Sequence, residues 1–257
     1  MQTKNIEALL ETIKILRGEN GCDWDKAQTH KTIRQNMLEE AYEAVDAIND
    51  NDIKHMKEEL GDVLLQVVLH SQIAQDNGEF TFEDVAEDIN KKLIHRHPHV
   101  FGDIKTHNVD EILSNWEKLK KEEKPHRKSV LDGISKSQSA LMTAQKLSKK
   151  AVKVGFEWAC QDDVLKCVQS EIKEFLEAKN DSDKELEFGD ILFALVNLAR
   201  WNKIDAEQAL IRANKKFELR FRKMEEMAQT KGLELEKLSL DEWDKLWQEA
   251  KKAIELN

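Results

Sequence analysis

The two halves of this 257-residue chain repeat one another, in spaced residues rather than in a single local stretch. Gly21-Cys-Asp-Trp24 returns as Gly155-Phe-Glu-Trp158. Leu38-Glu-Glu-Ala-Tyr-Glu43 returns more loosely as Gln169-Ser-Glu-Ile-Lys-Glu174, and Glu59-Leu-Gly-Asp62 as Glu187-Phe-Gly-Asp190. Further on, Asn90-Lys-Lys meets Asn214-Lys-Lys, and Trp116 meets Trp247, each six residues after an Asp-Glu pair that begins at Asp110 or Asp241. The offset between matched positions drifts only from 124 to 134, as loop insertions make it drift. A chain duplicated in this way builds one structural unit twice, so we expect two domains, residues 1–128 and 129–257. Between them, Glu117 to Lys128 carries Lys118, Lys120, Lys121, Lys124, Arg127 and Lys128 around Pro125. Without interleaved aromatic residues to stack on bases, that run reads as a solvated helix end and linker.

Within each half the apolar spacing is helical, with Leu38, Tyr42, Val45 and Ile48 on one face. Two prolines, nine glycines and 35% charged residues leave few breakers and many helix formers, so the expected class is all-α: a tandem repeat of helical bundles. A net charge of -10 repels a phosphate backbone and excludes general nucleic-acid binding. Cys22, Cys160 and Cys167 are too few and too scattered for a disulfide framework or zinc cluster and suit a reducing compartment. The opening Met1-Gln2-Thr3 leads straight into a charged pattern, and the longest apolar run is Ile191 to Val196. A cytoplasmic protein without signal peptide or membrane span is expected.

The chemistry lies in a piece of register arithmetic. Glu40 and Glu43 form one i,i+3 pair, Glu59 and Asp62 another, and each pair shares a helix face. Both the inner pair, 43 with 59, and the outer pair, 40 with 62, are centred on residue 51, inside the polar turn Asn49-Asp-Asn-Asp52. A chain folding back there sets all four acids side by side, the inner ones ~12 Å from the turn. Glu171, Glu174, Glu187 and Asp190 repeat the arrangement about residues 180–181, inside Asn180-Asp-Ser-Asp183. A solvated acidic face explains one such motif but not two in mirror register. Converging carboxylates repel one another and need a cation, and hard oxygen ligands suit Mg²⁺ or Mn²⁺, which favour phosphate oxygens in turn.

Gly61 and Gly189 occupy matching mid-helix positions, where close approach of a helix or ligand would account for them. Lys216 and Arg220 lie four apart on a stretch free of proline and glycine, placed to hold phosphates. Their counterparts Lys92 and Arg96 run into Pro98, which should end that helix, and His95, His97 and His99 read as a polar turn rather than a metal site. Trp116 and Trp247 suit either stacking on a base or plugging a helix interface.

With Glu39-Glu40-x-x-Glu43 and Glu59-x-x-Asp62, and the same arrangement repeated, the chain resembles the MazG family of nucleoside triphosphate pyrophosphohydrolases over nearly its whole length. Gly21-Cys-Asp-Trp-Asp25 and His97-Pro-His-Val-Phe101 look like stretches of two-repeat members. The resemblance implies hydrolysis of nucleoside triphosphates to monophosphate and pyrophosphate with Mg²⁺, in a homodimer of helical bundles, with relaxed base specificity and a role in cleansing the nucleotide pool. Carried over by position, it makes Glu171, Glu174, Glu187 and Asp190 catalytic metal ligands and Glu40, Glu43, Glu59 and Asp62 their first-repeat counterparts. Lys216 and Arg220 become phosphate contacts and Trp247 the base contact. Ser170 departs from the family's leading Glu-Glu pair. The competing reading is a non-catalytic helical interaction module, which has no need of mirror-placed acids.

Overall fold

The computed structural model describes residues 4–255 apart from Lys124 and His126, and leaves the side chains of Lys121 and Glu255 aside. Met1-Gln2-Thr3 and Lys124 of the expected linker therefore lie outside the described residues. The chain divides into two compact units, Met1–Lys124 and Pro125–Asn257, parting within the basic stretch. As composition predicts, the described residues form helices and no strand. The first unit contains α1 (Lys4–Arg17), α2 (Asp23–Ala27), α3 (Arg34–Asn49), α4 (Ile53–Asp76), α5 (Phe82–Arg96), α6 (Pro98–Phe101) and α7 (Val109–Glu122). The second contains α8 (Ala140–Val152), α9 (Gln161–Glu177), α10 (Asp181–Trp201), α11 (Ala206–Lys231) and α12 (Leu240–Glu255), with a 3₁₀ turn at Leu235–Lys237.

Each unit is built on a helical hairpin, α3 with α4 and α9 with α10. In the first, Asn51 takes the left-handed region at φ 55°, and the Asp52 carboxylate caps α4 by accepting the His55 backbone N–H at 3.0 Å. In the second, Asn180 caps α10 by accepting the Asp183 N–H at 2.9 Å. Asp181 and Asp183, which the sequence assigns to the turn, instead form the first turn of α10, where acidic groups favour the positive end of the helix dipole. α5 stops at Arg96 and Pro98 opens α6, where a missing N–H costs nothing.

The hairpins are packed on one side. In the first unit Ile13 of α1 and Ile33 join Val68, Leu69 and Ile73 of α4 in the core. In the second, α8 packs on α10 of the hairpin, and a separate core joins Met224 and Ala228 of α11 to Leu246 and Ala250 of α12. The buried residues of α3 are Ala44 and Ala47, whereas Leu38, Tyr42 and Ile48, from the apolar face read in the sequence, are exposed. Leu60 and Leu64 on α4, and Leu186, Phe188, Leu192 and Phe193 on α10, are exposed as well. Close approach within the chain does not explain the mid-helix glycines, because a Cβ on Gly61 or Gly189 would meet nothing within 4 Å.

Beside the first core, the His30 and His70 rings stack in parallel with their Nδ1 atoms 2.8 Å apart. One must donate and the other accept. Burial, and then the His30 ring, push His70 below the ordinary histidine range.

Candidate active site

Folding back at the polar turns does bring the acids together. In the first unit, carboxylate oxygens of Glu40, Glu43 and Glu59 lie within 4.8 Å of one another, and in the second those of Glu171, Glu187 and Asp190 do so. Asp62 and Glu174 stand outside these triads but within electrostatic reach. Burial, followed by Asp62, Glu43 and Glu59, raises Glu40 above the usual carboxylate range. Burial, followed by Glu174, Asp190 and Glu171, does the same to Glu187.

Glu59 is 5% exposed, and its Oε2 is buried without a hydrogen-bond partner. An orphaned carboxylate oxygen on a residue grouped with two further carboxylates is what a hard divalent cation relieves, and a donor set of oxygens alone fits Mg²⁺ or Mn²⁺ better than a softer metal. Two neighbours distinguish the clusters. In the first, His55 Nε2 lies 2.8 Å from Glu59 Oε1, one turn back on α4, a contact legible only in its i,i+4 spacing and missed in reading for acids. The corresponding position in the second unit is Asp183. There the Ser170 hydroxyl donates to Glu174 Oε1 at 3.0 Å, so the departure from a leading Glu-Glu pair places a hydroxyl on the next glutamate along the helix face. The Cys167 thiol, 3.7 Å from Glu171 Oε1, is pushed up by burial and by that carboxylate.

The basic residues differ more. In the first unit Glu123 takes Arg96: it accepts from Nε at 3.0 Å, from a second guanidinium nitrogen, and lies 3.2 Å from His95 Nδ1. These donors, Arg96 first, hold Glu123 down to about 2. Arg96 and Lys120 also sit over the Trp116 ring, 5.2 and 4.5 Å from its centroid. In the second unit Lys216 and Arg220 lie mid-way along the 26-residue α11, and Arg220 lies over the Trp247 ring at 5.7 Å. Trp247 packs on the α11–α12 core, and it also lines an open cavity of about 330 Å³ with Phe217, Phe221, Met224, Trp243 and Asp244. His95 lies in the last turn of α5, His97 caps it, and His99 lies in α6, so the segment expected as a polar turn is mostly helical.

Comparison with known proteins agrees with this chemistry. The MazG nucleotide pyrophosphohydrolase domain model matches residues 28–101, which carry Glu40, Glu43, Glu59 and Asp62. The chain is 44% identical to the nucleoside triphosphate pyrophosphohydrolase/pyrophosphatase MazG of Thermotoga maritima, over 95% of each chain. It is 45% identical to the nucleoside triphosphate pyrophosphohydrolase of Escherichia coli strain K12, over 96% of this chain and 97% of that one. It is 51% identical to the YabN protein of Bacillus subtilis, over 93% of this chain and 50% of that protein.

Proposed function

The chain belongs to the MazG family and is a nucleoside triphosphate pyrophosphohydrolase, and from that premise we propose that it works with Mg²⁺, on nucleotides of any base, chiefly in its second unit. The observation that carries the metal is the convergence of carboxylates in each hairpin, with a buried orphan oxygen on Glu59. Glu171, Glu174, Glu187 and Asp190 would hold Mg²⁺ in the second unit, and Glu40, Glu43, Glu59 and Asp62 in the first; Mn²⁺ satisfies the same donors. When bound, the ion neutralises the triphosphate and makes a water acidic enough to attack near neutral pH.

The remaining work falls to the chain. Lys216 and Arg220 bind phosphate oxygens from one face of α11, and Trp247 stacks on the base, a contact every base can make. The water oxygen forms a bond to the α-phosphorus, the bond from that phosphorus to the α–β bridging oxygen breaks, and pyrophosphate leaves with the electron pair. A glutamate not fully engaged by metal takes the proton of the water. Glu174, outside the triad and oriented by Ser170, suits that role. Support for the second unit comes from the basic side: Lys216 and Arg220 lie within an uninterrupted helix, whereas α5 ends at Arg96 ahead of Pro98.

A homodimer accounts for the exposed apolar side chains of both hairpins, and a cytoplasmic nucleotide-cleansing role suits the substrate. No helix among the described residues is long and apolar enough to cross a membrane. The test is product identification with an NTP and dNTP panel: monophosphate and pyrophosphate are expected, with the activity abolished by EDTA and restored by Mg²⁺. Orthophosphate and diphosphate as main products would overturn the reaction.

A further inference from the structure

Among the described residues, the second unit contains a ring cluster that the first does not. Phe217 and Phe221 on α11 meet Trp243 and Trp247 on α12, with centroids 5.5 Å apart for Phe217–Trp247 and 6.2 Å for Phe221–Trp243. The positions corresponding to 217, 221, 243 and 244 in the first unit are Leu93, His97, Ile112 and Leu113. An open cavity of about 330 Å³ lies among the rings, and Phe217 remains 58% exposed beside it. Four aromatic side chains around solvent are costly when empty and suit a flat aromatic guest. The Arg220 guanidinium over Trp247 brings positive charge to that ring, as an attached triphosphate requires.

The lining has one charged member, Asp244. It lies one helical turn before Trp247, so its carboxylate shares that ring's side of α12. Ring faces are indifferent to the base, but an ionised carboxylate only accepts hydrogen bonds and is sensitive to the edge of the base. Guanine alone among the common bases offers two adjacent donors there, N1–H and the 2-amino group. Adenine and cytosine set a ring-nitrogen acceptor beside their amino group, and uracil flanks its single N–H with carbonyls.

We propose that this aromatic cavity is the base subsite of the second unit and that Asp244 biases it toward guanine nucleotides, within the broad range that stacking admits. The inference rests on the pyrophosphohydrolase reading and adds a preference to it. The experiment compares kcat/KM for GTP and for ITP, which lacks only the 2-amino group, in the full chain and in Asp244→Asn and Asp244→Ala. One charge-assisted hydrogen bond predicts a GTP-to-ITP ratio of about tenfold, collapsing toward one in both variants. A ratio near one in the unsubstituted chain, a ratio unchanged by substitution, or an equal loss on GTP, ITP and ATP would each overturn the proposal. Quenching of tryptophan fluorescence by GMP against IMP reads the same subsite without turnover. Tighter GMP binding without pyrophosphate release would sink the reaction and keep the subsite, whereas pyrophosphate release with equal GMP and IMP binding would do the opposite.

Discussion

Glu174 and Glu43 are the residues at which the two clusters can be told apart. If the second unit carries turnover, Glu174→Ala removes the group that takes the proton from water, and pyrophosphate release should fall about 10²-fold or more. Glu43→Ala, in the unit whose basic helix ends at Arg96 ahead of Pro98, should retain the larger part of the activity. Circular dichroism on both variants separates loss of chemistry from loss of fold, and the reverse pattern would move the site to the first unit. A different residue sets a pH dependence of stability. His70 has a folded pKa below its unfolded value of about 6.5. The unfolded chain therefore binds a proton that folded His70 refuses, beside the His30 ring and with Glu79 3.7 Å from His30 Nε2. This contribution is complete above about pH 6.5 and declines as the pH falls below it. Urea melts at pH 7.5 and 5.5 should show the loss, and His70→Gln should flatten it.

At the scale of the element, the hairpin turns the register of the acids into proximity, and its pivots are small. Asn51 supplies a left-handed residue, and Asp52 and Asn180 cap the returning helices. Gly61 and Gly189 then lie in the middle of those helices with nothing of this chain within 4 Å of a Cβ. Gly61→Ala and Gly189→Ala should each raise the urea midpoint by the equivalent of about 0.5–1 kcal/mol, because alanine loses less backbone entropy on folding. A lowered midpoint would instead reveal another subunit packed against that backbone. The helices bearing Lys216 with Arg220 and Lys92 with Arg96 show how one element can be reused to different effect. The first runs to Lys231 before Gly232 ends it in the left-handed region, while the second stops at Arg96 ahead of Pro98.

At the scale of the whole molecule, a hairpin covered on one side leaves Leu38, Tyr42, Leu60 and Leu64 of one unit, and Leu186, Phe188 and Leu192 of the other, exposed. Surface of that kind marks an association site, and light scattering at micromolar concentration should give twice the 29.8 kDa of the chain. A monomer with full activity would overturn the homodimer. The helical class, the duplication and the convergence of the acids were legible in the sequence, because composition, offset and register are one-dimensional quantities and α-helical geometry converts them directly into distance. The end of α5 was legible for the same reason, since Pro98 acts on its own backbone. Contacts between residues far apart in sequence were not. The sequence put Leu38, Tyr42 and Ile48 on one apolar face, but only tertiary packing decides which face meets a neighbour within the chain, and it chose Ala44 and Ala47. Glu123 closing on Arg96, and Phe217, Phe221, Trp243 and Trp247 assembling around a cavity with Asp244 among its lining residues, likewise depend on how separate helices pack, which no local periodicity encodes.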